Sequence, residues 1–317
     1  MKIFILLFGV IVIPKYIFAQ NQDDPNYKTR KGDCQIIALP GKPIKFNVTD
    51  SKISSTKERA ERTLSYLAKS PNVTAGAIQF CSEYGRVEII NSDDDEIHIQ
   101  AILENYGIDA EKAVKETDIE VSATVDNNKL NIAVSHPVLG FTSNRQPTLV
   151  NFRIQVPDKI IYDIVGNEYH GIVGIRRITL GKFDFKGRSG EKYKGIKGYF
   201  GGLELDNVVI RNDIAINAED ATVTGKLIID NSCNIAINTN ATDVKISIMP
   251  QENLGIKINA ESTSGQVWVI QEGDKPTQPT TPIRQKESVS NGFDKMLKKA
   301  DIRIKSNSGN ISVAAML

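Results

Sequence analysis

The sequence predicts an all-β protein in which repeated short strands stack as a β-solenoid or β-roll, with one or two short helices. Apolar and polar residues alternate over many short stretches bounded by Gly, Asn and Asp, which is typical of half-buried strands. A repeat runs through 213–248, where 213–217 matches 234–238 at a step of 21 positions. The dipeptide Ser-Gly also recurs in one frame, at 264–265 and 308–309.

These repeats indicate how such a stack would be held together. The Ile and Val residues of each repeat would point inward and form ladders with the repeats above and below. Asn, Asp and Gly would take the corners, where tight turns suit them. A single repeat cannot bury its own apolar face, so neighbouring repeats must cover it.

Individual elements follow from the same patterns. Strict alternation predicts strands at 85–89, 97–101, 119–121, 130–134 and 152–156. A helix is predicted at 55–69, because Leu64 and Leu67 are three residues apart and Ala60 and Ala68 lie near the same helical face. A second, short helix is predicted at 109–117, where Ala110, Ala113 and Val114 share a face.

The chain divides into three parts. Residues 1–19 have a basic start, an apolar run at 3–13 and Ala19 at a plausible cleavage site, which indicates a signal peptide. That run is shorter than the ~20 residues that cross a bilayer, although an uncleaved anchor is the alternative. Residues 20–75 are predicted to be a polar leader with a short helix. Residues 76–317 are the predicted β-strand repeat domain, interrupted by a Pro/Thr-rich loop at 272–292.

Composition excludes some function classes. The formal charge of +1 becomes −1 without residues 1–19, since Lys2 and Lys15 are lost (37 basic minus 38 acidic residues). A nearly neutral chain has no global field to attract nucleic acid or a membrane. Export permits a disulfide, but with three cysteines, Cys34, Cys81 and Cys233, one is left over and the pairing stays open. No C-x-x-C pair exists and the three histidines are scattered, so neither a metal site nor a cofactor is predicted.

Residues 76–317 resemble the adhesin-like β-strand repeat family of exported prokaryotic proteins. The resemblance is carried by the order of the strands at 85–89, 97–99, 119–121, 130–134 and 152–157, then the repeated units of 203–248 and the two Ser-Gly strands. It implies an exported, solenoid-like domain with an adhesin role. Residues 20–75 and the long basic segment 181–202 depart from the family pattern.

The segment 181–202 is the strongest candidate for ligand binding. It interleaves cations with aromatic rings, a combination that suits acidic polysaccharide or a cell-envelope protein. The alternative is a hairpin with lysines on exposed edges. The candidate residues are Lys182, Lys186, Arg188, Lys192, Tyr193, Lys194, Lys197 and Tyr199.

Other polar features predict little chemistry. The acidic run 93–96 could bind Ca²⁺, but it lacks EF-hand spacing and is more typical of a solvated turn. His98 lies in an alternating strand without a catalytic motif, and Trp268 is predicted on an outer face. The sequence therefore predicts a secreted or cell-surface, non-enzymatic binding scaffold with no transmembrane span in the mature chain. The alternatives are a polysaccharide-active enzyme on a β-helix and a structural part of a cell-envelope assembly.

Overall fold

A computed structural model describes residues 38–136, 148–187, 202–218, 221–240, 242–271 and 283–315. The predicted signal peptide lies outside these residues. Among them, no helix is long and apolar enough to cross a membrane.

The described residues form one large β-sheet with a single α-helix, α1 (Ala110–Glu116), and a short 3-10 turn at Phe293–Lys295. The all-β prediction is therefore confirmed. The first eleven strands are β1 (Lys42–Pro43), β2 (Asn47–Asp50), β3 (Ser54–Ser55), β4 (Arg59–Lys69), β5 (Ala75–Ser92), β6 (Glu96–Tyr106), β7 (Glu120–Asp126), β8 (Lys129–Ser135), β9 (Leu149–Pro157), β10 (Ile161–Arg176) and β11 (Thr179–Gly187). The remaining ten are β12 (Gly202–Ile210), β13 (Ile214–Ala218), β14 (Thr222–Ile229), β15 (Cys233–Thr239), β16 (Val244–Pro250), β17 (Leu254–Ser262), β18 (Val267–Gln271), β19 (Gln285–Val289), β20 (Lys298–Ser306) and β21 (Ile311–Ala315).

Strand pairing divides the sheet into two ladders. Ladder 1 has the order β4, β6, β9, β5, β10, β12, β14, β16, β21, β18, with β2 and β3 both paired to the outer side of β4. Ladder 2 has the order β1, β7, β8, β5, β10, β11, β13, β15, β20, β17, β19. The long strands β5 and β10 take part in both ladders and join them. From β5 and β10 to β18 and β17, all pairings are parallel.

The core lies on the inward side of both ladders. Alternate side chains of each strand are buried, and those from the two ladders belong to one hydrophobic cluster. The row Ile216, Ile237, Ile304 shows the pattern in ladder 2, because strand pairing aligns these three residues and all are fully buried. Each isoleucine is covered by its neighbours in adjacent strands, as the sequence pattern predicts.

The sequence repeats are neighbours in the sheet. Residues 214–218 pair with 235–239 at the 21-residue step, and Val223 pairs with Val244 at the same step. The two Ser-Gly units are also adjacent, since Ser262 pairs with Ser306 and Val267 with Ile311, 44 positions apart in each case. Matching residues therefore stack in register.

The helix predicted at 55–69 is wrong, because residues 59–69 form strand β4 and pair antiparallel with β6 along their whole length. The buried residues Ala60, Leu64 and Ala68 are four positions apart, a spacing that fits one face of a helix and also one face of a strand. Pairing with β6 decides between them. Four strands of the sheet, β1 to β4, therefore lie within the predicted leader.

Two further local predictions have different outcomes. The short helix at 109–117 is confirmed as α1, with Ala110 and Val114 buried against the core. The Pro/Thr-rich loop predicted at 272–292 is wrong in part, since residues 285–289 form β19, which pairs antiparallel with β17. Its polar sequence is typical of an edge strand that discourages further pairing.

The cysteines have distinct states. Cys81 is disulfide-bonded, and Cys233 is a free, buried thiol. Burial, followed by the nearby charge of Asp213, raises the pKa of Cys233 to about 12. The third cysteine, Cys34, lies outside the described residues.

Stability is expected to fall as pH decreases from about 6.5 toward 4. His136 is buried, and burial lowers its pKa to about 4. The unfolded chain, with an ordinary histidine pKa of about 6.5, therefore takes up a proton before the folded chain does, at a cost of up to about 3 kcal/mol. Denaturant unfolding of the native protein and of His136→Gln at about pH 7 and pH 5 measures this. Equal pH dependence in both proteins would contradict it.

Candidate binding face

The outer face of ladder 1 carries a row of side chains that lie side by side across nine strands. They are the outward-facing residues that alternate with the buried core residues. At about 4.8 Å per strand, the row is about 38 Å long. In order across the face, it consists of Gln100, Arg153, Glu88, Gly174, Glu204, Thr224, Lys245, Ser312 and Trp268.

Five charged side chains on this face form an ion-pair cluster, which we call the arginine cluster: Arg86, Glu88, Arg153, Arg176 and Glu204. Arg86 Nη2 lies 2.8 Å from Glu204 Oε2. Glu88 is the centre of the cluster, because its carboxylate oxygens lie 3.4 Å from Arg176 Nε and 3.9 Å from both Arg86 Nη2 and Arg153 Nε. Four strands, β9, β5, β10 and β12, contribute to it.

Gly174 leaves space for the guanidinium of Arg86 within the arginine cluster. It lies in β10 directly between Glu88 and Glu204. A Cβ atom at this position would lie 3.3 Å from Arg86 Nη2, a tight contact. The absence of a side chain lets the guanidinium of Arg86 cross over β10 and reach Glu204.

The arginine cluster has an excess of positive charge. Three guanidinium groups surround two carboxylates, and all five side chains are partly exposed. Ion pairs in such positions contribute only about 0–1 kcal/mol each, because water competes for both partners. A guanidinium can therefore exchange a carboxylate of the protein for a carboxylate, sulfate or phosphate of a ligand, and its planar donors suit these groups.

The last residue of the predicted basic segment, Gly202, lies beside this cluster. Gly187, at the end of β11, pairs with Glu168, and Gly202, at the start of β12, pairs with Ile172. Both pairing partners lie in β10, four residues apart. Ile172 in turn pairs with Arg86. Arg86 and Gly202 are therefore both aligned with Ile172, one on each side of β10.

Most of the predicted site residues lie outside the described part of the chain. Lys182 is exposed in β11, and Lys186 is also in β11. Two aromatic residues of the segment are not on its surface: Phe183 and Phe185 are buried in the core, with ring centroids 6.0 Å apart. Their interleaving with cations reflects the alternation of a strand, which places these two rings on the inward side of β11. The residues outside the described ranges are Arg188, Lys192, Tyr193, Lys194, Lys197 and Tyr199.

Sequence reasoning did not find the arginine cluster. Arg86, Arg153 and Arg176 lie in three strands that are far apart in sequence and close only through strand register. The available signal was that each occupies an outward position of an alternating stretch. Which outward positions meet depends on the order of strands in the sheet.

A second polar cluster lies at the turn between β5 and β6. Asp94, Glu96 and His98 each place one potential ligand atom within 4.8 Å of the others, so together they could hold a divalent cation. His98 Nε2 lies 3.0 Å from Asp94 Oδ2 and 3.6 Å from Glu96 Oε2. Hydrogen bonds from Ser92 and the backbone of Glu96, together with His98, lower the pKa of Asp94.

Asp95, in the same turn, does not belong to this cluster and forms an ion pair with Lys159 at 2.6 Å. The predicted turn at this place is confirmed.

This second cluster does not have the geometry of a catalytic triad. Ser92 Oγ donates a hydrogen bond to Asp94 Oδ1 at 2.6 Å, whereas His98 contacts the other carboxylate oxygen. The carboxylate therefore lies between the hydroxyl and the imidazole. A serine nucleophile needs the imidazole as its direct partner.

Trp268 faces outward, as predicted. It is half-buried between the buried residues Val267 and Val269, in the last strand of ladder 1. Its ring is at the end of the outer row away from the arginine cluster. The face therefore has cations at one end and an indole at the other.

No family model and no curated protein sequence matches this chain. Solved structures with some similarity do exist. A candidate cell adhesion protein from Clostridium sporogenes is 15% identical, with coverage of 86% of this chain and 100% of that chain and a TM-score of 0.43. A candidate adhesin from Bacteroides fragilis is 12% identical, with coverage of 79% and 96% and a TM-score of 0.28.

A candidate lipid-binding protein from Parabacteroides distasonis is 13% identical, with coverage of 80% of this chain and 97% of that chain and a TM-score of 0.26. At such identities and TM-scores, the comparisons neither place this chain in a family nor identify its ligand.

Proposed function

We propose that this protein is an exported, non-enzymatic binding protein that recognises acidic polysaccharide at the cell surface or outside the cell. Its strand pairs would be successive coils of a solenoid-like stack. The parallel pairings and the 21-residue step of the repeats support this architecture. The predicted signal peptide supports export, and so does the disulfide at Cys81, since structural disulfides persist in oxidising compartments.

The observation that carries the proposal is the position of the arginine cluster beside Gly202, the last residue of the basic segment. Arg86 and Glu204 lie within two residues of the pairing between Ile172 and Gly202. The proposed ligand contacts the cations of the cluster together with those of Lys192, Lys194 and Lys197, which precede Gly202 in the sequence. A polymer with a carboxylate or sulfate on each unit can contact many such cations at once, and many weak contacts add up to firm binding.

A glycan-binding array followed by titration tests the proposal. Both Lys192→Ala/Lys194→Ala/Lys197→Ala and Arg153→Ala/Arg176→Ala are expected to weaken binding to polyuronates or sulfated glycans by roughly tenfold. Binding of the native protein should also weaken as salt is added, because the contacts are exposed ion pairs. The matched control is Lys57→Ala/Lys112→Ala/Lys115→Ala, which removes three exposed charges that belong neither to the outer row nor to the arginine cluster. Its affinity should stay close to that of the native protein.

Two results would contradict the proposal. Unchanged binding in both test variants would remove this surface from the function. Sustained release of unsaturated sugars from polyuronates by the native protein would show that it is an enzyme, which is the alternative that the sequence left open.

A further inference from the structure

Strands β20 and β21 (298–315), the inserted strand pair, lie out of sequence order in both ladders. β20 lies between β15 and β17, and β21 lies between β16 and β18. Every other parallel neighbour from β11 and β12 to β15 and β16 follows chain order. A later segment of the chain therefore separates two strand pairs that are consecutive in sequence.

The chain leaves a gap for this insertion. Between residues that match in register, six positions lead from Pro250 in β16 to Ile256 in β17 and cross two strand spacings, about 9.6 Å, whereas four positions lead from Ile229 in β14 to Cys233 in β15 and cross one, about 4.8 Å. The strand pair β17–β18 therefore does not lie next to β15–β16, the strand pair that precedes it in sequence. One strand position in each ladder is left between the two pairs. The inserted strand pair fills these two positions, β20 in ladder 2 and β21 in ladder 1.

The turn of the inserted strand pair fits closely between the turns on either side. Ser262 Oγ donates a hydrogen bond to the carbonyl oxygen of Gly309 at 2.8 Å, and Asn307 Nδ2 donates to Asn240 Oδ1 at 2.7 Å. A Cβ atom on Gly309 would overlap the carbonyl oxygen of Thr242. The turn that contains Asn240 and Thr242 and the turn that contains Ser262 therefore both contact the Ser-Gly turn of the inserted strand pair.

Packing adds to this recognition. The inward side chains Ile302 and Ile304 are fully buried, with β15 on one side and β17 on the other. Cys233 pairs in register with Ala300, the first buried residue of β20. The free thiol is therefore covered in part by the inserted strand pair.

We propose that the inserted strand pair is an exchangeable element, which fills the gap in its own chain or the same gap in a second copy, and that exchange joins two copies. The contacts that hold it are made with β15, β16, β17 and β18, and they are identical whichever copy supplies it. Only the link 272–297 ties it to β18. When a segment is exchanged with a second copy, all its contacts are kept and only the association entropy is added as a cost.

The place where the chain would open is visible in the structure. The link is held on β17 as far as Ser290, whose N–H donates to the carbonyl oxygen of Ile256 at 2.9 Å, and the inserted strand pair begins at Lys298. Between them lie Gly292, with φ of 71°, and Leu297, whose side chain is fully exposed. Residues 291–297 are therefore the hinge of the exchange.

Alkylation of Cys233 in the native protein tests whether the inserted strand pair separates as a unit. Gly309→Ala, which disturbs its turn, should raise the alkylation rate by roughly tenfold, and an added peptide of residues 293–317 should lower the rate again. Gly225→Ala is the matched control, since its Cβ would overlap the carbonyl oxygen of Leu205, away from the insertion. The peptide should not protect Cys233 in that variant. If the peptide gives no protection in Gly309→Ala either, the inserted strand pair is not separable and the proposal fails.

A disulfide trap tests exchange between copies. Asn240→Cys and Asn307→Cys are made in separate chains, mixed, loosened in mild denaturant and returned to buffer. A disulfide-linked pair of one chain of each kind is expected, because residues 240 and 307 of different chains meet only after exchange. The chain carrying both substitutions is the control, and its internal disulfide shows that the two positions can bond. If that control forms while the mixture yields no linked pair at any protein concentration, exchange does not occur.

Discussion

Gly85→Ala is expected to destabilise the fold by about 3 kcal/mol or more, one of the two largest effects that we predict for a single substitution. Gly85 lies in β5 between the residues that pair with β8 in ladder 2 and those that pair with β9 in ladder 1. Its φ of 133° is a conformation that residues with a side chain rarely adopt, and an added Cβ would overlap the carbonyl oxygen of Val150. The backbone of two strands would have to move apart where the ladders join.

Equilibrium unfolding in denaturant measures this effect. Gly107→Ala is the matched control, because Gly107 has a similar φ of 110° but no atom within 4 Å of an added Cβ. Its cost should be limited to the conformational strain, about 1–2 kcal/mol. Equal losses in the two variants would mean that the close approach of β9 to Gly85 has no energetic role.

Ile237→Ala is expected to cost about 3 kcal/mol, within the usual range for truncation of a buried isoleucine. Ile237 is fully buried and aligned with Ile216 on one side and Ile304 on the other. Because close-packed ladders hold both neighbours in place, the cavity left by the missing atoms cannot collapse readily. The loss should appear as a lower denaturant midpoint with an unchanged slope.

The next residue along the strand is the control for that experiment. Asn238 faces outward, where its Nδ2 donates a hydrogen bond to Asn217 Oδ1 at 3.0 Å. Asn238→Ala should cost under about 1 kcal/mol, since the bond is exposed to competing water. A larger loss from Asn238→Ala than from Ile237→Ala would overturn the assignment of inward and outward faces.

Local patterns were enough to predict most strands, but the pattern in 59–69 is compatible with both a helix and a strand. Residues 85–89 and 97–101 alternate strictly, which only a strand satisfies, and both are strands. In 59–69 the buried residues Ala60, Leu64 and Ala68 repeat every four positions, a spacing that helices and strands share. The antiparallel partner β6 selected the strand, and the paired residues are 27 (Lys69 and Glu96) to 47 (Arg59 and Tyr106) positions apart along the sequence.

The candidate site also has one part that the sequence predicts, the basic segment, and one part that it does not, the arginine cluster. The basic segment was visible in sequence because its cations lie close together along the chain. The arginine cluster was not, because Arg153 and Arg176 contact Glu88 only through the register of β9 and β10 against β5. Within the segment, burial of Phe183 and Phe185 also depended on which side of β11 faces the core.

By itself, the sequence determined the all-β class, the inward and outward sides of most strands and the matching of repeats at steps of 21 and 44 residues. These properties depend on neighbouring residues and on copies of one motif, so they can be read along the chain. Only the tertiary structure decided that the inserted strand pair lies between β15–β16 and β17–β18, and that three distant arginines meet on one face. A strand with a suitable alternating pattern can pair at any level of the stack, so its position is selected by the fit of turns and by the gap that the rest of the chain leaves.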